Sequence, residues 1–139
     1  MALMPKRVKF RKEMRNVRDR KATKGNYVAY GDFGLQALDG CWLKGTVIES
    51  GRVSAQHFLK REGKLFIRVF PDKPISKKPL ETRMGTGKAD VDFWAARVKP
   101  GTLLFEIAGV PEDLAKQAFA RIANKMPVRC RFVGRRLAV

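Results

Sequence analysis

The spacing of apolar residues predicts two amphipathic helices. Thr46 is placed to cap the first helix, which is expected to end near Gly63. Its apolar positions recur at helical spacing and are Ile48, Gly51, Ala55 and Phe58 or Leu59. The second helix begins at Pro111, because proline is favoured in a first helical turn, and it is expected to stop at Pro127. The inward apolar positions of this helix are Leu114, Ala118, Ile122 and Met126.

Alternation of apolar and polar residues predicts strands in six segments, which are residues 27–30, 33–38, 64–70, 91–98, 102–107 and 128–133. The segments 91–98 and 102–107 are separated by a Lys-Pro-Gly turn, so these two strands are expected to pair antiparallel. Phe66 and Phe70 are expected in the core. These elements predict an α+β fold in which two helices pack on a mostly antiparallel sheet.

The net charge indicates a partner. The 139 residues include 30 Lys and Arg against 13 Asp and Glu, a formal charge of +17, which is far more than solubility requires. A polyanion is therefore expected, with nucleic acid first and an anionic membrane surface second. The apolar fraction of 45% is that of a folded protein, and no apolar run approaches the roughly 18 residues that a membrane span needs. We expect a cytoplasmic protein; an organellar transit peptide is the alternative interpretation of the basic N-terminus.

The cationic residues are concentrated at this N-terminus. Residues 1–24 hold ten basic and two acidic residues, a net charge of +8, and too few large apolar side chains to form a core. We therefore expect residues 1–24 to be a basic extended arm that orders on nucleic acid, followed by a single α+β RNA-binding domain over residues 25–139. The cations of the arm are Lys6, Arg7, Lys9, Arg11, Lys12, Arg15, Arg18, Arg20, Lys21 and Lys24.

A long connection without periodicity follows Phe70. Residues 71–90 contain three prolines and two glycines, and compact domains rarely keep an unstructured connection longer than about 12 to 15 residues unless it is functional or disordered. We expect a protruding loop that brings cations to RNA. Its Gly-Thr-Gly-Lys segment, residues 85–88, is not a nucleotide-hydrolysing loop, because Ala89 stands where Ser or Thr must bind magnesium and Thr82 stands where the first Gly belongs.

The sequence contains no catalytic or metal-binding constellation. Cys41 and Cys130 lie far apart, without a C-x-x-C pair or a histidine cluster, and are expected to be reduced thiols. His57 is the only histidine, and no third group is apparent to orient its imidazole. We expect no enzyme, no cofactor and no metal. The carboxylates around the loop are expected to form local ion pairs with its lysines and are Asp72, Glu81, Asp90 and Asp92.

Six short stretches carry a further signal. In order, they are PKRVKFRK at 5–12, FGLQA at 33–37, IESGR at 48–52, RVFPDKP at 68–74, KPLETRMGTGK at 78–88 and GVPE at 109–112. In order and spacing these stretches resemble the bacterial form of the universal large-ribosomal-subunit protein family number sixteen. The most specific part is RVFPDKP followed closely by RMGTGK. Ser50 and Cys41 depart from the Ala and Gly usual in that family, but neither departure removes a cation.

The resemblance implies a structural constituent of the large ribosomal subunit that binds large-subunit rRNA, supports late subunit assembly and helps to position tRNA near the aminoacyl site and the peptidyl-transferase region. The implied partners are large-subunit rRNA, aminoacyl-site and peptidyl-site tRNA and neighbouring large-subunit proteins, with no membrane. The predicted rRNA-binding residues lie in the arm and on the basic faces of the predicted helix and strands. They are Lys6, Arg7, Lys9, Arg11, Lys12, Arg15, Arg18, Arg20, Arg52, Arg68, Arg129 and Arg131. The predicted tRNA-proximal loop residues are Lys77, Lys78, Arg83, Met84, Gly85 and Lys88.

Two other classes of function share some of these features. A free RNA chaperone or assembly factor would have the same charge and arm, but it would act off the ribosome. An enzyme acting on RNA would need an acid and base pair or a metal site. Asp90 and Asp92 are the residues whose substitution would test that alternative.

Overall fold

The computed structural model describes residues 2–15 and 20–136, which form two helices and seven strands. In chain order these are β1 (Phe33–Ala37), β2 (Cys41–Lys44), α1 (Gly45–Phe58), β3 (Lys64–Ile67), β4 (Lys73–Ser76), β5 (Val91–Val98), β6 (Leu103–Ala108), α2 (Glu112–Ala123) and β7 (Cys130–Gly134). A four-stranded sheet has the order β3-β6-β1-β7, and a three-stranded sheet has the order β2-β5-β4. All strand pairs are antiparallel. The predicted α+β class is confirmed, with two sheets in place of one.

One apolar core joins both sheets and both helices. Leu35 and Ala37 face it from β1, and Leu43 faces it from β2. Because side chains alternate along a strand, the intervening residues, such as Gln36 and Trp42, lie on the outer faces of the two sheets. These outer faces carry the cationic surfaces described below.

The two helices pack against each other and against the sheets. Gly51 permits close packing, because a Cβ at this position would lie 3.0 Å from Cε of Met126 and 3.2 Å from Cγ2 of Ile122. The apolar positions predicted for α1 are buried, apart from the half-buried Phe58. In α2 the prediction for Leu114 is wrong, since this side chain is 38% exposed. The predicted inward positions Ala118 and Ile122 are buried, together with Ala115 and Phe119.

The predicted pairing of residues 91–98 with residues 102–107 is wrong. β5 pairs with β2 and β4, whereas β6 pairs with β1 and β3. The turn between them is present, with the N–H of Thr102 donating to the oxygen of Lys99 at 3.1 Å. However, the N–H of Ala37 donates to the oxygen of Thr102 at 2.9 Å, so the chain joins β1 as it leaves the turn. The turn therefore links the two sheets.

The limits of several predicted elements also change. Residues 73–76 form β4 inside the connection that was expected to be one loop, and this shortens the protruding part to residues 77–90. Pro74 is tolerated because β4 is an edge strand, where a missing N–H disrupts no second ladder. Residues 27–30 form no strand, and β2 was not predicted. Phe66 is half-buried on the outer face of the four-stranded sheet, in register with Glu106, and Phe70 is 47% exposed, so both predicted core positions are wrong.

Candidate nucleic-acid interface

The outer face of the three-stranded sheet carries an aromatic ring and two cations. Trp42 of β2 is in register with Arg97 of β5, and Lys73 of β4 is in register with Ala95, two residues before Arg97. Alternate residues of a strand share a face, so Trp42, Arg97 and Lys73 lie on one surface. The ammonium of Lys73 is 5.6 Å from the centroid of the Trp42 ring. Although it is a lysine, Lys73 is only 1% exposed.

The N-terminal segment covers this surface. Nζ of Lys73 donates to the carbonyl oxygen of Met14 at 2.8 Å and lies 3.6 Å from the carboxylate of Glu13. That carboxylate also accepts from Nη2 of Arg97 at 2.8 Å. The guanidinium of Arg15 lies 5.5 Å from the Trp42 ring. We call this set the arm clasp: residues 13–15 of the arm with Trp42, Lys73 and Arg97 of the sheet.

The same segment contacts the base of the protruding loop. Nζ of Lys12 donates to the oxygen of Lys88 at 2.8 Å, and Nζ of Lys88 donates to the oxygen of Glu13. Each lysine thus donates a hydrogen bond from its ammonium group to a backbone oxygen of the other segment. The arm and the loop, which are about 75 residues apart in sequence, meet at this point.

The tip of the loop lies away from the folded body. Leu80 and Met84 are fully exposed, at 98% and 102% of their reference surface. Gly85, Thr86 and Gly87 all have positive φ, at 111°, 57° and 86°, which turns the chain sharply. Lys78 donates to the oxygen of Gly85 across this turn. The tip therefore presents apolar and cationic groups to solvent on a bent backbone.

The predicted binding residues differ in whether their charge is compensated. Three cations of the folded part are paired with carboxylates: Arg52 with Glu49, Arg68 with Glu106 and Arg129 with Asp39. By contrast, several exposed cations of the arm and loop have no hydrogen-bond or ion-pair partner among residues 2–15 and 20–136. These are Lys6, Arg7, Lys9, Arg11, Arg20, Lys77 and Arg83. Arg18, also predicted as a contact, lies outside the described residues.

Arg68 has a structural role in addition to the predicted one. Its guanidinium contacts the carboxylate of Glu106 and lies 5.0 Å from the ring centroid of Tyr30. Glu106 is fully buried and accepts backbone N–H groups from Ala29 at 3.2 Å, Tyr30 at 2.6 Å and Gly31 at 2.8 Å. Burial acts to raise the pKa of this carboxyl, but the hydrogen bonds from the three N–H groups and Arg68 lower it below its ordinary value. Glu106 therefore holds residues 29–31 on the outer face of the four-stranded sheet.

Sequence reasoning did not identify Glu106, Trp42, Lys73 or Arg97 as functional. Lys73 stood out only as part of the RVFPDKP stretch, and a buried lysine in a proline-rich segment has no sequence pattern of its own.

The ion pairs expected for Asp72, Glu81, Asp90 and Asp92 are absent within the described residues. Cys41 and Cys130 form no disulfide, and burial raises the pKa of the Cys130 thiol to about 11.

The described residues contain no cluster of three or more His, Cys, Asp or Glu side chains that could hold a metal ion. Within the same part of the chain, no helix is long and apolar enough to cross a membrane. The geometry is that of a cationic surface built on a sheet, an arm and a loop.

Comparison with known proteins yields two findings. The sequence model of the family described as Ribosomal protein L16p/L10e matches residues 5–133. The chain is also 59% identical over 138 residues to the large ribosomal subunit protein uL16 of Rhodopirellula baltica, covering 99% of this chain and 100% of that protein.

Proposed function

Because the chain belongs to the ribosomal protein L16p/L10e family and is a structural protein of the large ribosomal subunit rather than an enzyme, we propose that it binds large-subunit rRNA through its arm. We further propose that it supports late assembly of the subunit and helps to position tRNA with its loop. One observation carries this proposal: the arm clasp docks residues 13–15 on the three-stranded sheet, and the hydrogen bonds of Lys12 and Glu13 with Lys88 join the arm to the base of the loop, so the two segments that carry the uncompensated cations meet.

The arm supplies the phosphate contacts. Lys6, Arg7, Lys9 and Arg11 are exposed, and none has a carboxylate partner within the described residues. Cations placed every one or two residues suit successive phosphates of folded RNA, and each contact releases counterions. Arg52, Arg68 and Arg129 contribute less to rRNA affinity, because their paired carboxylates already compensate their charge.

The loop supplies the contact with tRNA at the aminoacyl and peptidyl sites. Arg83 has no partner in the described part of the chain, and the neighbouring Met84 and Leu80 are fully exposed. A guanidinium can hold a phosphate with two hydrogen bonds or stack on a base, and a thioether offers an adaptable apolar contact. The side chains of Arg83 and Met84 therefore remain available to tRNA when the arm is bound to rRNA.

Binding of the purified protein to large-subunit rRNA at several salt concentrations tests the role of the arm. Replacing Lys6, Arg7, Lys9 and Arg11 with Ala should flatten the log-log salt dependence by roughly 0.7 to 0.9 for each phosphate that the variant no longer neutralises. The matched control replaces four exposed cations elsewhere with Ala and should leave the slope within error; these are Lys64, Lys99, Arg121 and Lys125. An unchanged slope in the arm variant would place the phosphate-binding residues on another surface.

Purified subunits distinguish this function from that of a free RNA chaperone. A subunit protein should be present at one copy per large subunit after washing in high salt, as measured by quantitative mass spectrometry. Substoichiometric protein that washes off, together with RNA-annealing activity of the isolated chain, would favour the chaperone.

A further inference from the structure

The outer face of the four-stranded sheet holds a cavity of about 370 Å³, distinct from the arm and the loop. Its lining combines apolar, aromatic and cationic side chains. Val28 and Val133 contribute apolar surface, Tyr27 is an aromatic ring that is 65% exposed, and Arg131 and Arg136 are the cations. The volume lies within the range of about 300 to 1,000 Å³ that is typical of small-molecule sites.

The positive charge in this cavity is not compensated. Nη2 of Arg131 donates to Oε1 of Gln36 at 2.8 Å, so a neutral amide holds this guanidinium in place. Nε2 of Gln36 donates to the oxygen of Gly101 at 2.8 Å, which orients the amide. Arg136 has no partner among the described residues, and no lining residue in that part of the chain is acidic. An arginine has five N–H donors, so most donors of both side chains remain available to a ligand.

The cavity wall is held in place by groups outside it. Glu106 binds the N–H groups of residues 29–31 and fixes the segment that carries Tyr27 and Val28. Gly34 lets this segment lie close to the sheet, because a Cβ there would be 3.0 Å from Cγ2 of Val28. Glu106 and Gly34 are in register on neighbouring strands, and Gly34 is in register with Val133. The site is thus formed before any ligand arrives.

We propose that this cavity binds one unpaired nucleotide of the large-subunit rRNA, with its base on Tyr27 and its phosphate on Arg131 and Arg136. An aromatic ring beside apolar surface suits the face of a base, and guanidinium groups suit a phosphate in both charge and geometry. An acidic peptide would satisfy the two cations, but it would not need the aromatic ring. The inference rests on the proposed function and adds a second, nucleotide-sized contact on the opposite sheet.

A titration of the purified full-length protein with adenosine monophosphate, followed by amide NMR, tests the site directly. The signals of Val28, Gly34 and Val133 should shift, and inorganic phosphate alone should shift them less. Tyr27→Ala should weaken binding by about five- to a hundredfold, whereas Tyr27→Phe should stay within about twofold, because only stacking is needed. Shifts confined to the arm, or equal effects of both variants, would overturn the proposal.

Ultraviolet crosslinking of purified large subunits separates this inference from the proposed function. An RNA adduct should form on Tyr27 itself, as located by fragmentation of its peptide, and the double variant Arg131→Ala, Arg136→Ala should reduce its yield at least about fivefold. Arg135→Ala, a neighbouring arginine that does not line the cavity, is the matched control and should not change it. Adducts on the arm without one at Tyr27 would contradict the nucleotide site but not rRNA binding by the arm. Absence of the protein from the large subunits would contradict both the nucleotide site and the proposed function.

Discussion

Nζ of Lys73 and the carbonyl oxygen of Met14 are 2.8 Å apart. This hydrogen bond joins a buried lysine of the three-stranded sheet to the N-terminal arm. The contact changes the interpretation of the arm. Its residues up to 24 include no helix or strand within the described part of the chain. However, hydrogen bonds and the two ion pairs of Glu13 with Lys73 and Arg97 hold residues 12–15 on the sheet and on the base of the loop, so the segment has a defined docking position.

Lys73→Met should release the arm while keeping the volume of the side chain. A hydrogen bond from a charged group contributes about 1.5 to 3 kcal/mol, so the opened population should rise roughly tenfold or more. Limited trypsin digestion with mass spectrometry measures this: cleavage after Arg15 should be slower than after Arg7 in the original chain, and the two rates should converge in the variant. Lys77→Met, at an exposed loop lysine, is the control. Equal rates in the original chain would mean that the whole arm is loose without RNA, as its composition alone suggests.

Arg83→Ala should leave the protein in the large subunit but weaken tRNA placement. If the contact is buried on tRNA, removing its hydrogen bonds should cost about 1 to 3 kcal/mol of aminoacyl-site affinity. The measurements are occupancy by mass spectrometry, tRNA affinity and the rate of peptide-bond formation in variant subunits. Arg83→Lys retains the charge without the planar fork, so its tRNA affinity should lie between those of the original chain and of Arg83→Ala. Loss of the protein from the subunit would make the loop an assembly contact instead.

Glu106→Gln should destabilise the fold by about 3 to 5 kcal/mol, because it breaks a buried charge network and turns an amide N–H₂ toward existing donors. Urea unfolding at neutral pH measures the loss. Glu112→Gln is the control, since Glu112 is exposed and forms only a surface pair with Lys116. A loss of stability as small as that of the control would show that water replaces Glu106 without cost as the hydrogen-bond partner of Arg68 and the backbone N–H groups.

The same carboxyl predicts a pH dependence. The folded-state pKa of Glu106 is lowered, so its stabilising contribution is complete above the ordinary glutamate pKa of about 4.3 and is lost as the pH falls through the lower folded value. The stability difference between the original chain and Glu106→Gln should therefore narrow below about pH 4. A constant difference from pH 7 to pH 3 would assign the effect of the substitution to shape rather than charge.

Gly51→Val should destabilise the fold by about 1 to 3 kcal/mol, because the new side chain would collide with Met126 and Ile122 where the helices meet. Ser50→Val places the same residue one position earlier on the exposed surface of α1 and should stay within about 0.5 kcal/mol. Thermal unfolding of both variants compares them. Equal stability would mean that α2 moves outward without cost.

The amino-acid sequence alone determined the α+β class, both helices, most strands and the concentration of charge in the arm and loop, because amphipathic spacing and charge are local properties of the chain. The family could also be identified from short ordered motifs. These features need no knowledge of which segments meet.

Only the tertiary structure decided the partners. β5 and β6 adjoin in sequence but lie in different sheets, since the backbone at Thr102 bonds to Ala37. Residues 73–76 form a strand despite Pro74, because an edge position spares the missing N–H. The pairing of Arg68 with Glu106, and the contact of Lys73 with Met14, join residues 38 and 59 positions apart. Whether a cation is compensated or available for RNA depends on such long-range neighbours, and no local pattern in the chain encodes them.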